Sequence, residues 1–134
     1  MATEIRVLDL SIPAAADQST KQFYAAAVNS AGRLALCSAA GQLAIGLIQS
    51  GADTLDRAST VRVLGVSKGF AGDVIAAGAA VATDANGKLK TASALVQATG
   101  AASNVIGIAL KAAAADGDII PVFLIRGIVP TSAA

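Results

Sequence analysis

The sequence predicts a mainly β fold: a small β-barrel or β-clip-like domain with glycine-rich turns and an N-terminal arm. Short runs rich in valine, isoleucine and leucine are separated by glycine-containing turns, at the spacing of about 8–15 residues that compact β-domains show. No window of about 15 residues carries the apolar stripe of period 3.6 that an amphipathic helix needs. The length of 134 residues corresponds to one domain.

The first twenty residues divide into a strand-like and a loop-like part. A strand is predicted at Glu4–Leu10, where apolar and charged residues alternate at the start. The following Ser11–Thr20 consists largely of small and turn-forming residues. Residues 1–20 are therefore either an arm that orders only against a neighbouring molecule or an ordinary edge strand with its loop. Residues 21–134 are predicted to form a single β-rich domain.

Turn chemistry places the remaining strands. Asn29–Gly32 and Asp84–Gly87 each carry a glycine late enough to supply the positive φ of a hairpin turn. Ser50–Thr60 is predicted to be a loop, and Ala92–Ser103 either a short helix or a loop. The glycines of Gly65–Gly72 are interpreted as bends between short strands. Strands are predicted at Gln22–Val28, Arg33–Cys37, Gln42–Gln49, Val61–Val66, Val81–Thr83, Lys88–Thr91, Val105–Leu110 and Asp118–Val129.

Two short patterns occur twice. Asn29–Leu34 is echoed 55 residues later by Asp84–Leu89, and Ile45–Leu47 is echoed 61 residues later by Ile106–Ile108. The echoes have two explanations: two related β-motifs packed about a pseudo-two-fold axis, or chance recurrence of glycine turns between apolar strands. Two copies are too few for a solenoid.

The composition argues for contacts with other subunits. Alanine accounts for 33 residues and charged residues for only 14% of the chain. Each alanine buries little apolar area, so the core is expected to be thin. Part of the apolar surface is therefore expected to be covered by other subunits.

Charge and hydropathy exclude several classes of partner and compartment. The net charge is +1 and the ten basic residues are scattered, which argues against nucleic acid and against an anionic membrane. The four aromatic residues do not interleave with basic ones, so no base-stacking platform is expected. No signal peptide is expected, and the apolar stretch Leu34–Ile48 is shorter than the roughly 20 residues of a membrane span. The single cysteine fits assembly in a reducing cytoplasm.

Residues able to carry catalysis or bind metal are scarce. The chain has no histidine, which is the commonest general base and metal ligand. Cys37 lies in an apolar strand, where a cysteine is usually an inert small hydrophobe. The order Ser-Lys-Gly-Phe around Lys68 fits neither a P-loop nor a dinucleotide fingerprint. The acidic loops 53–56 and 116–118 lack a calcium-binding pattern. No catalytic residue, cofactor or metal is predicted.

Four segments of the sequence, in the order in which they occur, together match the pattern of a known family. They are FYAAAVNSAGRLAL (Phe23–Leu36), AAGQLAIGLIQS (Ala39–Ser50), VRVLGVSKGFAGDVIAAGAAVATDANGKLKTA (Val61–Ala92) and VIGIALKAAAADGDIIPVFL (Val105–Leu124). In this order they resemble the bacteriophage head decoration proteins, also called capsid cement proteins. Pro121 departs from the pattern, and inside the final strand it would suit an edge position or a bulge.

The resemblance implies a structural protein that binds the outer surface of an icosahedral phage head and stabilises the expanded capsid. It implies the major capsid protein and further copies of this chain, as a homotrimer, as partners, a place on the virion after synthesis in the host bacterial cytoplasm, and no enzymatic activity. An N-terminal strand with unpaired backbone groups is expected to add to a sheet of the shell or of a neighbouring copy. The expected contact residues are Ala2, Thr3, Glu4, Ile5, Arg6, Val7 and Leu8.

Two other classes of function stay open. The first is a glycan- or host-surface-binding β module of a virion or bacterial surface; such modules use exposed aromatic rings, of which this chain offers few. The second is an enzyme or enzyme subunit on a β-clip-like fold, which would require a cluster of polar residues. Co-sedimentation with empty expanded heads distinguishes the structural hypothesis from both.

Overall fold

The computed structural model describes residues 4–92 and 103–129. Within these ranges the chain forms β-strands and no α-helix, which confirms the predicted mainly β fold. Most of the segment predicted as helix or loop, Ala92–Ser103, lies outside the described residues. No helix in the described ranges is long and apolar enough to cross a membrane. The strands are β1 (Ile5–Pro13), β2 (Ala25–Val28), β3 (Leu34–Leu36), β4 (Gly46–Ser50), β5 (Ala58–Phe70), β6 (Ala80–Thr83), β7 (Leu89–Thr91), β8 (Ser103–Ala109) and β9 (Ile119–Val129).

These strands belong to one sheet with the order β3-β2-β4-β5-β9-β8-β6-β7, and β1 pairs with β5. Every pairing between named strands is antiparallel. The sheet curls into a half-barrel. The long central strands β5 and β9 therefore join the two ends of the sheet.

Both predicted hairpins are present and their turns use the same chemistry. In the β2–β3 turn, Oδ1 of Asn29 accepts two backbone N–H bonds, each at 3.0 Å. In the β6–β7 turn, Oδ1 of Asp84 accepts two at 2.8 and 2.9 Å. Gly32 and Gly87 close these turns at φ values of +77° and +80°, which an L side chain rarely adopts.

The strand order shows that the sequence echo is structural. It reads the same from either end when β2 is matched with β6, β3 with β7, β4 with β8 and β5 with β9. The echoed glycines lie at equivalent ladder positions, because Gly46 pairs with Ala26 of β2 and Gly107 pairs with Val81 of β6. The structure therefore favours two related β-motifs over chance recurrence.

Hydrogen bonds outside the ladders repeat in the same way. The N–H of Ala14 donates to the carbonyl of Arg57 at 2.8 Å, and the N–H of Ala71 donates to the carbonyl of Asp118, also at 2.8 Å. In the first half the bond joins the residue after β1 to the residue before β5, and in the second half it joins the residue after β5 to the residue before β9. The loops of the two halves are therefore anchored by equivalent hydrogen bonds.

Strand β5 serves both halves. Its first residues complete the first motif by pairing with β1, where Pro13 faces Ala58. Its last residues begin the second motif by pairing with β9, where Phe70 faces Ile119 in the equivalent register. One continuous strand thus acts as the last strand of one motif and the first strand of the next.

The main core joins the two halves. Leu47 of the first half and Leu89 and Val122 of the second are fully buried in one cluster. They meet above Gly69 of β5, where an added Cβ would lie 2.5 Å from Leu89 Cδ1 and 2.9 Å from Val122 Cγ2. Close packing of this kind needs a residue without a side chain on the strand beneath.

This packing corrects the interpretation of Gly65–Gly72 as bends between short strands. Strand β5 runs without interruption from Ala58 to Phe70, so Gly65 and Gly69 lie inside a strand. Gly65 has a φ of +111°, and a Cβ there would lie 2.1 Å from the carbonyl oxygen of Ile5 in β1. These two glycines allow close approach of neighbouring chain, and they do not end the strand.

The expectation for Pro121 is also wrong. Strand β9 lies between β5 and β8, so it is not an edge strand, and the pairing of β9 with β5 has no bulge at this residue. The carbonyl of Pro121 accepts the N–H of Leu110 at 2.9 Å. This bond continues the β8–β9 register one residue past the pair of Ala109 and Val122, so Leu110 faces Pro121. Proline has no N–H to return the bond, and β8 accordingly ends at Ala109.

Candidate interaction surface

The N-terminal contact residues predicted from the sequence lie largely on strand β1. Ala2 and Thr3 are outside the described residues. Ile5, Val7 and Leu8 are 57%, 66% and 41% exposed, although their strand pairs with β5 of its own chain. Arg6 faces Gly65. None of the nine residues of β1 is fully buried, and Asp9, Leu10 and Ile12 are partly buried. The first half of the strand thus presents apolar side chains to solvent, whereas Leu10 and Ile12 in its second half pack against the core cluster that contains Leu34 and Ile48.

A buried ion cluster links β1 to β5. Nε of Arg62 donates to Oδ1 of Asp9 at 2.9 Å, and its Nη1 donates to Oε2 of Glu4 at 3.1 Å. The same Nη1 also donates to the carbonyl of Val66 at 3.1 Å. The Arg62 side chain is only 8% exposed, and its hydrogen bond to Asp9 raises the pKa of the guanidinium further. A buried arginine costs several kcal/mol of desolvation, so removal of either β1 carboxylate leaves a costly charge behind.

An apolar row crosses four strands beside this cluster. Ile5 faces Val66, Val66 faces Phe123, and Phe123 faces Ile108. Residues paired in antiparallel strands project to the same face, so the row lies on one face of the sheet. This face of β9 points away from the main core, because the alternating residues between its members are buried there. We call the surface formed by Ile5, Val66, Ile108, Ile119, Pro121 and Phe123 the outer face; Ile5, Ile119 and Phe123 are exposed on it, whereas Val66 and Pro121 are buried.

The sequence of strand β9 is as continuously apolar as that of a strand buried on both faces of its sheet. Ile120, Val122 and Leu124 fill the core, whereas Ile119 and Phe123 on the outer face are 48% and 43% exposed. A continuous apolar strand is typical of a sheet that is covered on both faces. Sequence reasoning recognised the apolar run but did not connect it with an interface, and its unbroken apolar character was the available signal. Leu64 and Ile125, close to the row along β5 and β9, are exposed as well.

Three of the four aromatic residues gather at one end of the outer face. The rings of Tyr24 and Phe70 lie 4.9 Å apart at an angle of 30°. The ammonium groups of three lysines lie 5.0 to 5.7 Å from ring centroids, within the range of cation–π attraction. We call this the aromatic–lysine cluster; its members are Lys21, Phe23, Tyr24, Lys68, Phe70 and Lys88. The sequence predicted no such platform, because its parts come from three distant segments.

Phe23 of this cluster has a strained backbone. Its φ is +70°, and its N–H donates to the carbonyl of Ile48 at 2.6 Å. The equivalent residue in the second half is Gly78, with φ of +83° and an N–H bond to Ala109 at 2.7 Å. A left-handed conformation costs an L residue roughly 1–2 kcal/mol, whereas glycine adopts it freely. An aromatic side chain is thus kept at a position that glycine fits better.

The residues considered for chemistry have structural partners. The acidic loops are tied to cations, since Asp56 pairs with Arg33 and Asp116 pairs with Lys88. The guanidinium of Arg33 lowers the pKa of Asp56. Burial raises the pKa of the Cys37 thiol to about 11, well above the range of a reactive thiolate. Within residues 4–92 and 103–129, no three histidine, cysteine or acidic residues are placed to hold a metal ion.

A separate apolar groove of about 440 Å³ lies where β9 approaches the loop before β4. Its lining is Val28, Leu43, Ala44, Ile45 and Arg126. The guanidinium of Arg126 donates to the backbone carbonyls of Ala44 and Ile45. The one charged group of the groove is therefore engaged with its own chain.

Comparison with known proteins bears on the fold. A scan against protein-family models finds no match, and a search of the curated proteins finds none either. Among solved structures, the chain is similar to the crystal structure of the head fiber gp8.5 N base in bacteriophage phi29. The likeness is one of fold. The TM-score is 0.63 over 91% of this chain and 98% of the other, at 16% sequence identity.

Proposed function

We propose that this chain is a structural protein of a phage head, bound to the outer surface of the shell as a decoration or cement protein. The observation that carries the proposal is the outer face, where Ile5, Ile119 and Phe123 are 57%, 48% and 43% exposed in an apolar row four strands wide. Large apolar side chains that are exposed together on one face typically mark a protein interface. The fold similarity to a head-fiber base supports the same location.

In this proposal the partners are the major capsid protein and further copies of the chain, arranged as a homotrimer. The apolar outer face suits a lasting contact, because permanent interfaces are more apolar than transient ones. A trimer that touches several shell subunits gains avidity from each contact, so each can be modest. Residues 2–8 contribute through the exposed Ile5, Val7 and Leu8.

Co-sedimentation with empty expanded heads tests the proposal. The intact protein should pellet with the heads, and Phe123→Ser should weaken binding about tenfold or more, as loss of a central apolar contact does. Leu55→Ser is the matched control, since Leu55 is a similarly exposed apolar residue in the β4–β5 loop. Intact protein that remains in the supernatant, or equal loss of binding in both variants, would contradict the proposal.

The aromatic–lysine cluster favours a second candidate function, a glycan-binding module of the virion surface. Aromatic rings stack on sugar rings, and ammonium groups pair with acidic sugars. Tyr24 is the single tyrosine of a chain without tryptophan, so intrinsic fluorescence reports on this cluster alone. Titration with an acidic oligosaccharide should change that fluorescence in the intact protein and not in Lys21→Gln. An unchanged signal in the intact protein would rule out this candidate.

A further inference from the structure

The two halves of the chain fill one kind of strand position in different ways. We call the position beside residues 58–66 of β5, which β1 occupies, the β5 slot. The equivalent position beside β9 is filled by the end of β5 itself, where Val66 faces Phe123. In the β5 slot the residues at the same register are Asp9 and Arg62. The ion pair of Asp9 and Arg62, between the terminal strand β1 and β5, thus corresponds to the apolar pair of Val66 and Phe123, between the continuous strand β5 and β9.

Strand β1 is attached less firmly than its counterpart. It has no fully buried residue, pairs with β5 alone, and shows two register shifts, between Arg6 and Leu8 and between Leu8 and Asp9. Each irregularity interrupts the ladder of backbone hydrogen bonds. The burial of β1 is limited to Asp9, Leu10 and Ile12, which are partly buried, and the two apolar side chains pack against the core cluster that contains Leu34 and Ile48.

The chain that follows β1 is firmly anchored. Ala14 is fully buried, and its N–H donates to the carbonyl of Arg57 at 2.8 Å. Gln18 is also buried; its Nε2 donates to the carbonyl of Leu34 at 2.6 Å, and its Oε1 accepts the hydroxyl of Ser59 at 2.8 Å. The boundary between the weakly held strand and the anchored chain falls at Pro13. A strand that ends at such a boundary can leave its position without unfolding the rest.

From these observations we propose that β1 is an exchangeable strand, and that in the protein's own oligomer the β5 slot of one copy is filled by β1 of a second copy. The slot selects this occupant, because Arg62 needs the two carboxylates, Glu4 and Asp9, that β1 supplies. Exchange of identical elements reproduces every contact of the closed form, which makes it a low-cost route to association.

Exchange also accounts for the exposed apolar residues of β1. In the closed form Ile5, Val7 and Leu8 face solvent. A strand that crosses between copies keeps its pairing with β5, where Ile5 faces Val66, and brings the second copy next to these exposed side chains. This inference deepens the proposed function by naming the contact between copies, and it can be tested without heads.

Interchain disulfide formation between two single-cysteine chains tests the proposal. In a Cys37→Ala background, Leu10→Cys is mixed with a tagged Val61→Cys chain, and the two are refolded together and oxidised. Leu10 and Val61 are cross-strand partners, and the separation of such partners fits disulfide geometry. Val61 is fully buried, so only a strand in the slot can reach a cysteine at this position. In an equal mixture about one junction in four joins a Leu10→Cys strand to a Val61→Cys slot, in a reciprocal pair and in a ring of three alike. About half of the chains should therefore enter the heterodimer band on a non-reducing gel.

The double variant with both cysteines in one chain completes the test. An intrachain disulfide there, without a heterodimer band in the mixture, would overturn the exchange model and leave β1 as a closed edge strand. Absence of both disulfides would overturn it too, because β1 would then occupy neither slot. Leu8→Cys with Leu64→Cys repeats the test at exposed partners, where no core residue changes. Leu8→Cys with Leu55→Cys, an unpaired exposed position, measures random collision.

Failure of this test and failure of the proposed function are distinguishable. Heads that bind a protein with closed strands would retain the proposed function and reject exchange. Exchanged strands in a protein that ignores heads would do the reverse.

Discussion

Asp9 and Arg62 face each other across β1 and β5 at the register where the second half of the molecule places Val66 and Phe123. The charged pair is largely buried, with side-chain exposures of 15% and 8%. Buried ion pairs add specificity more readily than stability, because desolvation offsets most of their attraction. The comparison between the halves shows that the fold accepts an apolar pair in this position.

We expect the double substitution Asp9→Val with Arg62→Met to leave stability unchanged or to raise it by about 1–4 kcal/mol. Asp9→Val alone should destabilise by about 3–5 kcal/mol, because Arg62 is then buried with only part of its partners. Urea unfolding midpoints at constant m-value measure both effects. A double variant as unstable as the single one would show that the ion pair itself holds β1.

Equivalent glycines in the two halves should be equally intolerant of a methyl group. A Cβ on Gly46 would lie 2.0 Å from the carbonyl oxygen of Arg62, and one on Gly107 would lie 2.5 Å from that of Phe123. Gly46→Ala and Gly107→Ala should each destabilise by about 1–3 kcal/mol or more, because the backbones must separate. Gly127→Ala is the control, since its Cβ would meet nothing closer than 3.8 Å. Thermal unfolding of the three variants tests this, and tolerance at Gly46 would argue against the close strand contact.

The strain at Phe23 can be separated from the packing of its ring. Phe23→Ala and Phe23→Gly both remove the ring, but only glycine also relieves the positive φ of +70°. We therefore expect the glycine variant to be more stable than the alanine variant by about 1 kcal/mol. At Gly78, where an added Cβ meets nothing within 4 Å, Gly78→Ala should cost a similar amount through backbone strain alone. Equal stability of the two Phe23 variants would contradict the left-handed conformation.

The buried thiol of Cys37 predicts a specific loss of stability in alkali. Burial raises its pKa from 9.0 to about 11, with partial opposition from a hydrogen bond to Thr83. The folded state therefore favours the neutral thiol, and this contribution is complete below pH 9. It is lost as the pH rises from 9 to about 11, because the unfolded chain ionises first. The unfolding free energy of the intact protein should fall more steeply over this interval than that of Cys37→Ala, and parallel pH profiles would show that the thiol is accessible to water.

Local chemistry was sufficient to predict the hairpins and the alternation of strands. Asn29 and Asp84 act within their own turns, so their effect does not depend on the rest of the chain. The length of β5 was not predictable in this way, because the role of Gly69 depends on Leu89 and Val122 from other strands. A glycine looks the same in a sequence whether it bends the chain or admits a neighbouring side chain.

The candidate surface was predicted only in part for the same reason. Exposure of the N-terminal apolar residues follows from their position on a terminal strand, and the structure places Ile5, Val7 and Leu8 in solvent. The burial of Arg62 had no sequence signal, since arginine is usually exposed. The aromatic–lysine cluster likewise exists only after folding brings Tyr24 and Phe70 together.

The double membership of β5 bears on how the protein opens. Since the same 13-residue strand completes one motif and begins the other, neither half can detach while its counterpart stays intact. Backbone amides in the middle of β5 should therefore exchange with deuterium only through global unfolding, whereas those of β1 exchange through local release. Because the two small repeats share one strand, they are expected to unfold together as a single cooperative unit.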